Sequence, residues 1–261
     1  MKDTVAAFER LSEIVEELRE KCPWDRKQTK ESIRHLTIEE TYELADAILH
    51  NDYGEMKEEL GDLLMHTIFY ASMARENGEF DMQQVLEAQI EKLIRRHPHI
   101  YGDLVGATED QINANWEKIK AQERAAKGIV KRSALDGVPD SMPSLIKAHR
   151  IQEKAANLGF DWATSAGVLD KIQEEVAEIA AAETADEREA EMGDLLFTLV
   201  NYCRHVGINA EDALSRSSAK FKRRFQAMEQ HAWDQKQEIS DFGMEEMESL
   251  WEKVKSAQRE S

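Results

Sequence analysis

The sequence has 261 residues, of which 33% are charged and 41% hydrophobic, and its formal net charge is −18. Its 12 glycines and 4 prolines make up about 6% of the chain against a usual ~12%, which favours helices over turn-rich sheets. The negative charge argues against a nucleic-acid-binding protein, which needs a basic surface. No apolar run approaches the ~20 residues of a membrane span. We therefore expect an all-α protein that binds neither nucleic acid nor membranes.

The cysteines and the first residues bear on location. Cys22 and Cys203 are far apart in the sequence and form no C-x-x-C motif, so we expect neither a disulfide framework nor a zinc site. The first twenty residues are charged throughout and lack the apolar block of a signal peptide. Both features lead us to expect a cytoplasmic protein.

Apolar residues at spacings of three and four predict ten helices. Thr37 followed by Glu40 matches a capping box and predicts that the regular part of the second helix begins at Thr37. Residues 128–143 contain two glycines and two prolines, and we interpret them as a linker between a domain at 1–127 and another at 144–261. The predicted helices span 3–21, 31–50, 55–77, 82–97, 109–127, 144–157, 166–184, 187–206, 209–230 and 244–258.

The second half of the sequence repeats the first, with four motifs in the same order. The paired motifs are EETYE (39–43) with EEVAE (174–178), ELGDLLMHTI (59–68) with EMGDLLFTLV (191–200), KLIRR (92–96) with KFKRR (220–224), and WEKIK (116–120) with WEKVK (251–255). We infer two duplicated domains with the same helical layout.

The repeated motifs contain carboxylates three residues apart, a spacing that places both on one helix face. Because short connections make consecutive helices antiparallel neighbours, two such pairs would surround one point. Four like charges repel unless a cation lies among them, and all-oxygen ligands suit Mg²⁺ or Mn²⁺ bound together with substrate phosphates. A single acidic motif is usually a solvated face, but its duplication favours function. The pairs are Glu40 with Glu43, Glu59 with Asp62, Glu175 with Glu178, and Glu191 with Asp194.

Basic and aromatic residues follow the acidic motifs in both halves. Lysine and arginine four residues apart can hold phosphate oxygens from one helix face, although salt bridges to the many glutamates are an alternative. A tryptophan four residues before a lysine suits a base and a phosphate, although a core tryptophan is equally compatible with the pattern. These pairs are Lys92 with Arg96, Lys220 with Arg224, Trp116 with Lys120, and Trp251 with Lys255.

Together with CPWDRKQT (22–29), SALDGVP (133–139) and KAANLGFDW (154–162), these motifs make the whole chain resemble the long, two-domain form of the MazG family. The resemblance implies an all-α homodimer whose helical bundles pair across the interface. It also implies Mg²⁺-dependent hydrolysis of nucleoside triphosphates (NTP and dNTP, ATP included) to the monophosphate and pyrophosphate, with broad base specificity and Mn²⁺ as a possible substitute.

The resemblance also assigns residues. The metal ligands of the second domain would be Glu175, Glu178, Glu191 and Asp194. The residues around the nucleotide would be Lys171, Glu174, Lys220, Arg224, Trp251 and Lys255. We further expect catalysis to rest on Glu174, Glu175, Glu178, Lys220 and Arg224. Our own hypothesis is that Glu174, about 100° around the helix from Glu175, orients or deprotonates the attacking water. The matching first-domain set is Glu39, Glu40, Glu43, Glu59, Asp62, Lys92, Arg96, Trp116 and Lys120.

One position departs from the duplicated pattern. Leu36 stands where the second domain has Lys171, so the first site lacks one phosphate-facing cation. We therefore expect the second domain to be the principal active site and the first to be weak or inactive. Two alternatives remain open: an enzyme of narrower specificity, such as a dUTPase or a phosphoribosyl-ATP pyrophosphohydrolase, and a non-enzymatic helical dimer that binds a metal or a partner protein.

Overall fold

The computed structural model describes residues 2–102, 106, 108–126, 128 and 133–257, with only the backbone at 109, 110, 113, 114, 117, 120, 121 and 124. All regular secondary structure in these residues is helical, as the composition predicts. The chain divides into two compact units, Met1–Val130 and Lys131–Ser261. None of the helices in the described residues is long and apolar enough to cross a membrane.

Each unit contains helices in the order that the repeat predicts. The first unit contains α1 (Lys2–Lys21), a 3₁₀ helix (Asp25–Lys27), α2 (Arg34–His50), α3 (Tyr53–Glu76), α4 (Met82–Arg96), α5 (Pro98–Tyr101) and α6 (Glu109–Ala126). The second contains α7 (Ser144–Ala156), α8 (Ser165–Ala181), α9 (Ala185–His205), α10 (Ala210–Asp234), a 3₁₀ helix (Ile239–Asp241) and α11 (Met244–Ala257).

The core of the first unit lies between α1, α3 and the start of α2. Its buried residues are Val15, Ile33, Ile68, Phe69 and Met73. Partly buried apolar residues, among them Leu36, pack against this cluster. Burial of such side chains stabilises the fold by roughly 1.5–3 kcal/mol each, and it fixes α2 and α3 in place.

The start of α2 differs from the prediction. The helix begins at Arg34, so the capping box assigned to Thr37 and Glu40 is wrong. The hydroxyl of Thr37 lies inside the first turn, 3.4 Å from the carbonyl oxygen of Ile33 and 2.8 Å from the hydroxyl of Tyr70 on α3. Thr37 therefore links α2 to α3 instead of capping α2.

Short connections join the helices that carry the acidic motifs. Asn51 has a φ of 55°, a left-handed conformation that asparagine tolerates, and it ends α2. The next residue, Asp52, caps α3 by accepting hydrogen bonds from the backbone N–H groups of Gly54 and Glu55. In the second unit Thr184 caps α9, and α8 ends at Ala181, before the predicted end at 184. Tight turns of this kind bring the acidic faces of α2 and α3, and of α8 and α9, together.

The predicted linker lies partly outside the described residues, since 129–132 are among those not described. Residues 133–143 form turns before α7 begins at Ser144. The ammonium of Lys154 on α7 donates to the carbonyl oxygen of Asp136 at 2.9 Å. This hydrogen bond attaches residues 133–143 to α7 of the second unit.

We expect Thr184→Ala to lower the free energy of unfolding by about 1 kcal/mol, because it removes half of a capping box formed with Glu187. Thermal unfolding followed by circular dichroism should show a midpoint about 2–4 °C lower. The matched control is Thr164→Ala, since Thr164 occupies the same position before α8 but makes no side-chain capping bond. Equal shifts in the two variants would contradict the assignment.

Candidate active site

The α2–α3 hairpin brings three carboxylates of the first unit together. Glu40 and Glu43 lie on one face of α2, and Glu59 lies on the second turn of α3. One oxygen from each lies within 4.8 Å of the other two. Glu59 is 7% exposed, Glu40 is half-buried and Glu43 is exposed, so the cluster lies at the border of the core.

The α8–α9 hairpin builds the same cluster in the second unit. Glu175, Glu178 and Glu191 again place one oxygen each within 4.8 Å of the others. Glu175 is 3% exposed, Glu178 is exposed and Glu191 is half-buried. Three of the four carboxylates that the spacing places around one point therefore converge in each repeat.

The two aspartates of the motifs lie just outside these groups of three. Asp62 is close enough to Glu40, and Asp194 to Glu191, for its negative charge to raise the pKa of that glutamate. In the described residues neither aspartate has an oxygen within the 4.8 Å group.

Each cluster contains a buried carboxylate oxygen without a hydrogen-bond partner among the described residues. These atoms are Oε2 of Glu59 and Oε2 of Glu175. A buried charged oxygen in this state is costly unless something compensates it. Several carboxylate oxygens, one of them buried and unsatisfied in each cluster, form a donor set that fits a hard cation such as Mg²⁺.

A lysine distinguishes the second cluster from the first. The ammonium of Lys171 lies 2.7 Å from Glu174, 2.8 Å from Glu175 and 3.8 Å from Glu178. Hydrogen bonds from Lys171 to Glu174 and then to Glu175 raise the pKa of this lysine. In the first unit Leu36 holds the equivalent position and packs against the core. The second cluster is thus partly neutralised by a lysine for which the first unit has leucine at the equivalent position.

One carboxyl group of the first cluster has a strongly raised pKa. Burial, followed by hydrogen bonding with Glu59 and Glu43, raises the pKa of Glu40 to about 7. In the second cluster burial and the charges of Glu178, Glu175 and Asp194 raise the pKa of Glu191, while Lys171 opposes this rise. Crowded carboxylates therefore destabilise their own charged forms in both repeats.

The raised pKa of Glu40 makes stability depend on pH. The unfolded side chain ionises near 4.5, whereas the folded one ionises near 7. Between these values the folded protein binds more protons, so the free energy of unfolding falls as pH rises through this window.

In EDTA at pH 8 we expect Glu40→Gln to unfold at a higher temperature than the wild type, by about 2–4 °C, since it removes one of the repelling charges. The variant should also show a weaker loss of stability between pH 5 and 7. Glu39→Gln is the matched control, because Glu39 is the exposed neighbour of Glu40. A pH profile of Glu40→Gln identical to that of the wild type would contradict the assignment.

A basic and aromatic group lies on α10 and α11 of the second unit. The guanidinium carbon of Arg224 lies 5.6 Å from the centre of the Trp251 ring, and the ring of Phe221 lies 5.3 Å from it. Lys220 is exposed on α10, and the ammonium of Lys255 is 2.8 Å from Glu252 on the same helix. Trp251 is half-buried, so part of its side chain packs against neighbours such as Phe221 and part remains accessible to solvent.

The first unit has the corresponding basic and aromatic group on α4 and α6, but here the arginines pair with a glutamate. The indole N–H of Trp116 donates to the carbonyl oxygen of Arg96 at 2.6 Å. Both Arg95 and Arg96 form ion pairs with Glu123 on α6. Lys92 is half-buried on α4, and the side chain of Lys120 lies outside the described residues. For Arg96 the alternative interpretation, a salt bridge to a glutamate, is therefore what the structure contains.

Two interactions were not predicted from the sequence. Lys171 was expected to face phosphate, yet here its ammonium bridges the carboxylates. The interaction of Glu123 with the arginines was not predicted, because Glu123 belongs to no repeated motif and the sequence around it does not distinguish it from the other glutamates of α6. Comparison of the repeats could have found it, since the corresponding position in the second half is Gln258.

Comparison with known proteins places this arrangement in a family. The sequence model of the family described as the MazG nucleotide pyrophosphohydrolase domain matches residues 28–101 and 164–228 of this chain. These residues include both acidic clusters. A nucleoside triphosphate pyrophosphohydrolase of Escherichia coli (strain K12) is 44% identical over 256 residues, covering 95% of this chain and 97% of that protein. A nucleoside triphosphate pyrophosphohydrolase/pyrophosphatase MazG of Thermotoga maritima is 43% identical over 257 residues, covering 98% of each chain. The chain therefore belongs to the MazG nucleotide pyrophosphohydrolase family.

Proposed function

We propose that this chain hydrolyses nucleoside triphosphates, both NTPs and dNTPs and with little base preference, to the monophosphate and pyrophosphate. The observation that carries the proposal is the cluster of Glu175, Glu178 and Glu191, which contains a buried and unsatisfied carboxylate oxygen. The full-length similarity to two nucleoside triphosphate pyrophosphohydrolases supports the same reaction.

We propose Mg²⁺ as the cofactor, with Mn²⁺ as a substitute, held by Glu175, Glu178, Glu191 and Asp194. When bound, the ion would neutralise phosphate charge and lower the pKa of a water molecule. Lys171 neutralises Glu175 and Glu178 in this structure, and its ammonium is the cation of this cluster that can hold the substrate phosphates. Glu174 lies on the exposed side of α8, where its carboxylate can orient or deprotonate the attacking water.

The remaining roles concern substrate binding. Lys220, Arg224 and Lys255 supply positive charge for the phosphates and for the leaving pyrophosphate. Trp251 offers a half-buried ring on which a base of any kind can stack, which fits broad specificity. In the first repeat the corresponding roles fall to Glu39, Glu40, Glu43, Glu59, Asp62, Lys92, Arg96, Trp116 and Lys120, at a weaker or inactive site.

We also propose that the protein is a cytoplasmic homodimer. The acidic hairpin of the second unit leaves apolar side chains exposed, among them Val176, Leu196 and Leu199. In the first unit Tyr42, Leu60 and Leu64 are exposed on the equivalent hairpin. Pairing of such faces with a second copy would bury them. Sedimentation of the full chain should give about twice the monomer mass.

The reaction is tested by incubating the protein with ATP and Mg²⁺ and measuring AMP, pyrophosphate and orthophosphate separately. We expect equal amounts of AMP and pyrophosphate, no orthophosphate, and loss of both products in EDTA with recovery in excess Mg²⁺ or Mn²⁺. Release of orthophosphate with ADP would contradict the proposal. Hydrolysis of a single nucleotide out of a full panel would favour an enzyme of narrow specificity instead.

A further inference from the structure

Two arginines at the end of α4 share one carboxylate. Arg95 Nη2 lies 2.6 Å from Glu123 Oε1, and Arg96 Nη2 lies 2.6 Å from Glu123 Oε2. Two further hydrogen bonds reach Oε1, from Arg95 Nε at 2.8 Å and from Arg96 Nε at 3.2 Å. The Glu123 side chain is 14% exposed, so water screens these contacts less than it screens surface ion pairs.

The position of this carboxylate is fixed by the surrounding packing. Trp116, on the same helix as Glu123, donates its indole N–H to the backbone carbonyl of Arg96 at 2.6 Å, which holds α6 against the end of α4. Hydrogen bonds from Arg96 and then Arg95 lower the pKa of Glu123 to about 2. Glu123 therefore stays charged at every physiological pH, in contact with both guanidinium groups.

The second repeat differs at this position in sequence. Arg96 corresponds to Arg224 and Trp116 to Trp251, and the same alignment pairs Glu123 with Gln258. Gln258 lies outside the described residues, so this contrast is one of sequence alone.

We propose that Glu123 keeps the first repeat from binding the phosphates of the substrate: its carboxylate occupies Arg95 and Arg96 and so excludes phosphate from the basic end of α4. The inference rests on the proposed function, in which the basic residues of the third motif (KLIRR and KFKRR) bind phosphate. A phosphate group must displace an intramolecular acceptor that already makes bidentate, charge-assisted hydrogen bonds. This exclusion acts independently of Leu36, which leaves the first cluster without a lysine.

The test is calorimetric titration of the full-length chain with inorganic pyrophosphate in the presence of Mg²⁺. The wild type should bind one pyrophosphate per chain. Glu123→Gln keeps the shape of the side chain but removes its charge, and it should add a second site whose affinity is at least about tenfold higher than any binding by the wild-type first repeat. Adding Arg96→Ala to Glu123→Gln should abolish that second site.

The control for the change in net charge is Glu91→Gln, which neutralises an exposed acid elsewhere on α4 and should leave one site per chain. One site per chain in both the wild type and Glu123→Gln would overturn the inference and leave the proposed function intact. No binding by either protein would overturn both.

A second variant keeps the inference testable if Glu123→Gln fails to fold. Glu123→Asp keeps the charge but shortens the side chain by one methylene, so the carboxylate can no longer contact Arg95 and Arg96 together at 2.6 Å. This substitution should add a second pyrophosphate site, weaker than the one that Glu123→Gln adds. Binding by Glu123→Asp identical to that of the wild type would overturn the inference.

Discussion

Glu175→Gln should lower kcat/KM for pyrophosphate release from ATP by at least about 10²-fold, because it removes a charged oxygen ligand from the centre of the proposed metal site. Glutamine has the same shape, so the buried position stays filled. The substitution also removes the 2.8 Å ion pair with Lys171. Steady-state measurement with Mg²⁺ gives kcat/KM, and titration with Mn²⁺ followed by electron paramagnetic resonance gives the affinity for the metal.

The matched control for Glu175→Gln is Glu189→Gln. Glu189 is an exposed acid on α9, two residues before Glu191, and no role is assigned to it. We expect the activity and the Mn²⁺ affinity of the Glu189→Gln variant to equal those of the wild type. An active Glu175→Gln enzyme with unchanged Mn²⁺ affinity would contradict the proposed metal site.

Removal of the basic side chains on α10 should weaken substrate binding. We expect Lys220→Ala or Arg224→Ala to lower kcat/KM by about 10- to 100-fold, since each loses charge-assisted hydrogen bonds to phosphate. Arg224→Lys should be impaired as well, because lysine does not reproduce the planar group that lies over Trp251. The measurements are kcat, KM and the inhibition constant of pyrophosphate.

Arg223→Ala is the control for these variants. Arg223 is exposed and adjacent to Arg224, but it points about 100° away around the helix. Its loss changes net charge equally and should alter kcat/KM less than about twofold. Comparable losses in Arg223→Ala and Arg224→Ala would show that general charge, and not a phosphate contact, is being measured.

The sequence predicted the fold because helical periodicity and capping are local signals. In the part of the chain that the structure describes, spacing of three and four identified each helix longer than one turn, and the duplicated motifs predicted two similar units. The main error was the start of α2, where Thr37 bonds to Tyr70 on α3. A contact between residues 33 apart in the sequence cannot be recognised from the residues next to Thr37, so the local capping-box pattern predicted the wrong helix start.

The sequence was sufficient to predict which pairs of carboxylates share a helix face and which two helices carry them. Carboxylates three apart on consecutive helices had to converge once short turns joined those helices, and the two clusters contain Glu40, Glu43 and Glu59 and their counterparts. The partners of the basic residues were not predictable. Which of many glutamates meets Arg96 depends on how α6 lies against α4, and this packing is set by the bond from Trp116.

The most direct test of the account compares Glu175→Ala with Glu40→Ala, the same substitution in the two repeats. Each full-length variant is incubated beside the wild type with a panel of NTPs and dNTPs and Mg²⁺, and pyrophosphate and orthophosphate are measured. We predict that the wild type and Glu40→Ala release pyrophosphate from most of the panel and that Glu175→Ala releases none. Absence of pyrophosphate from every wild-type reaction, or its persistence in Glu175→Ala, would contradict the claim that the second carboxylate cluster is the catalytic centre.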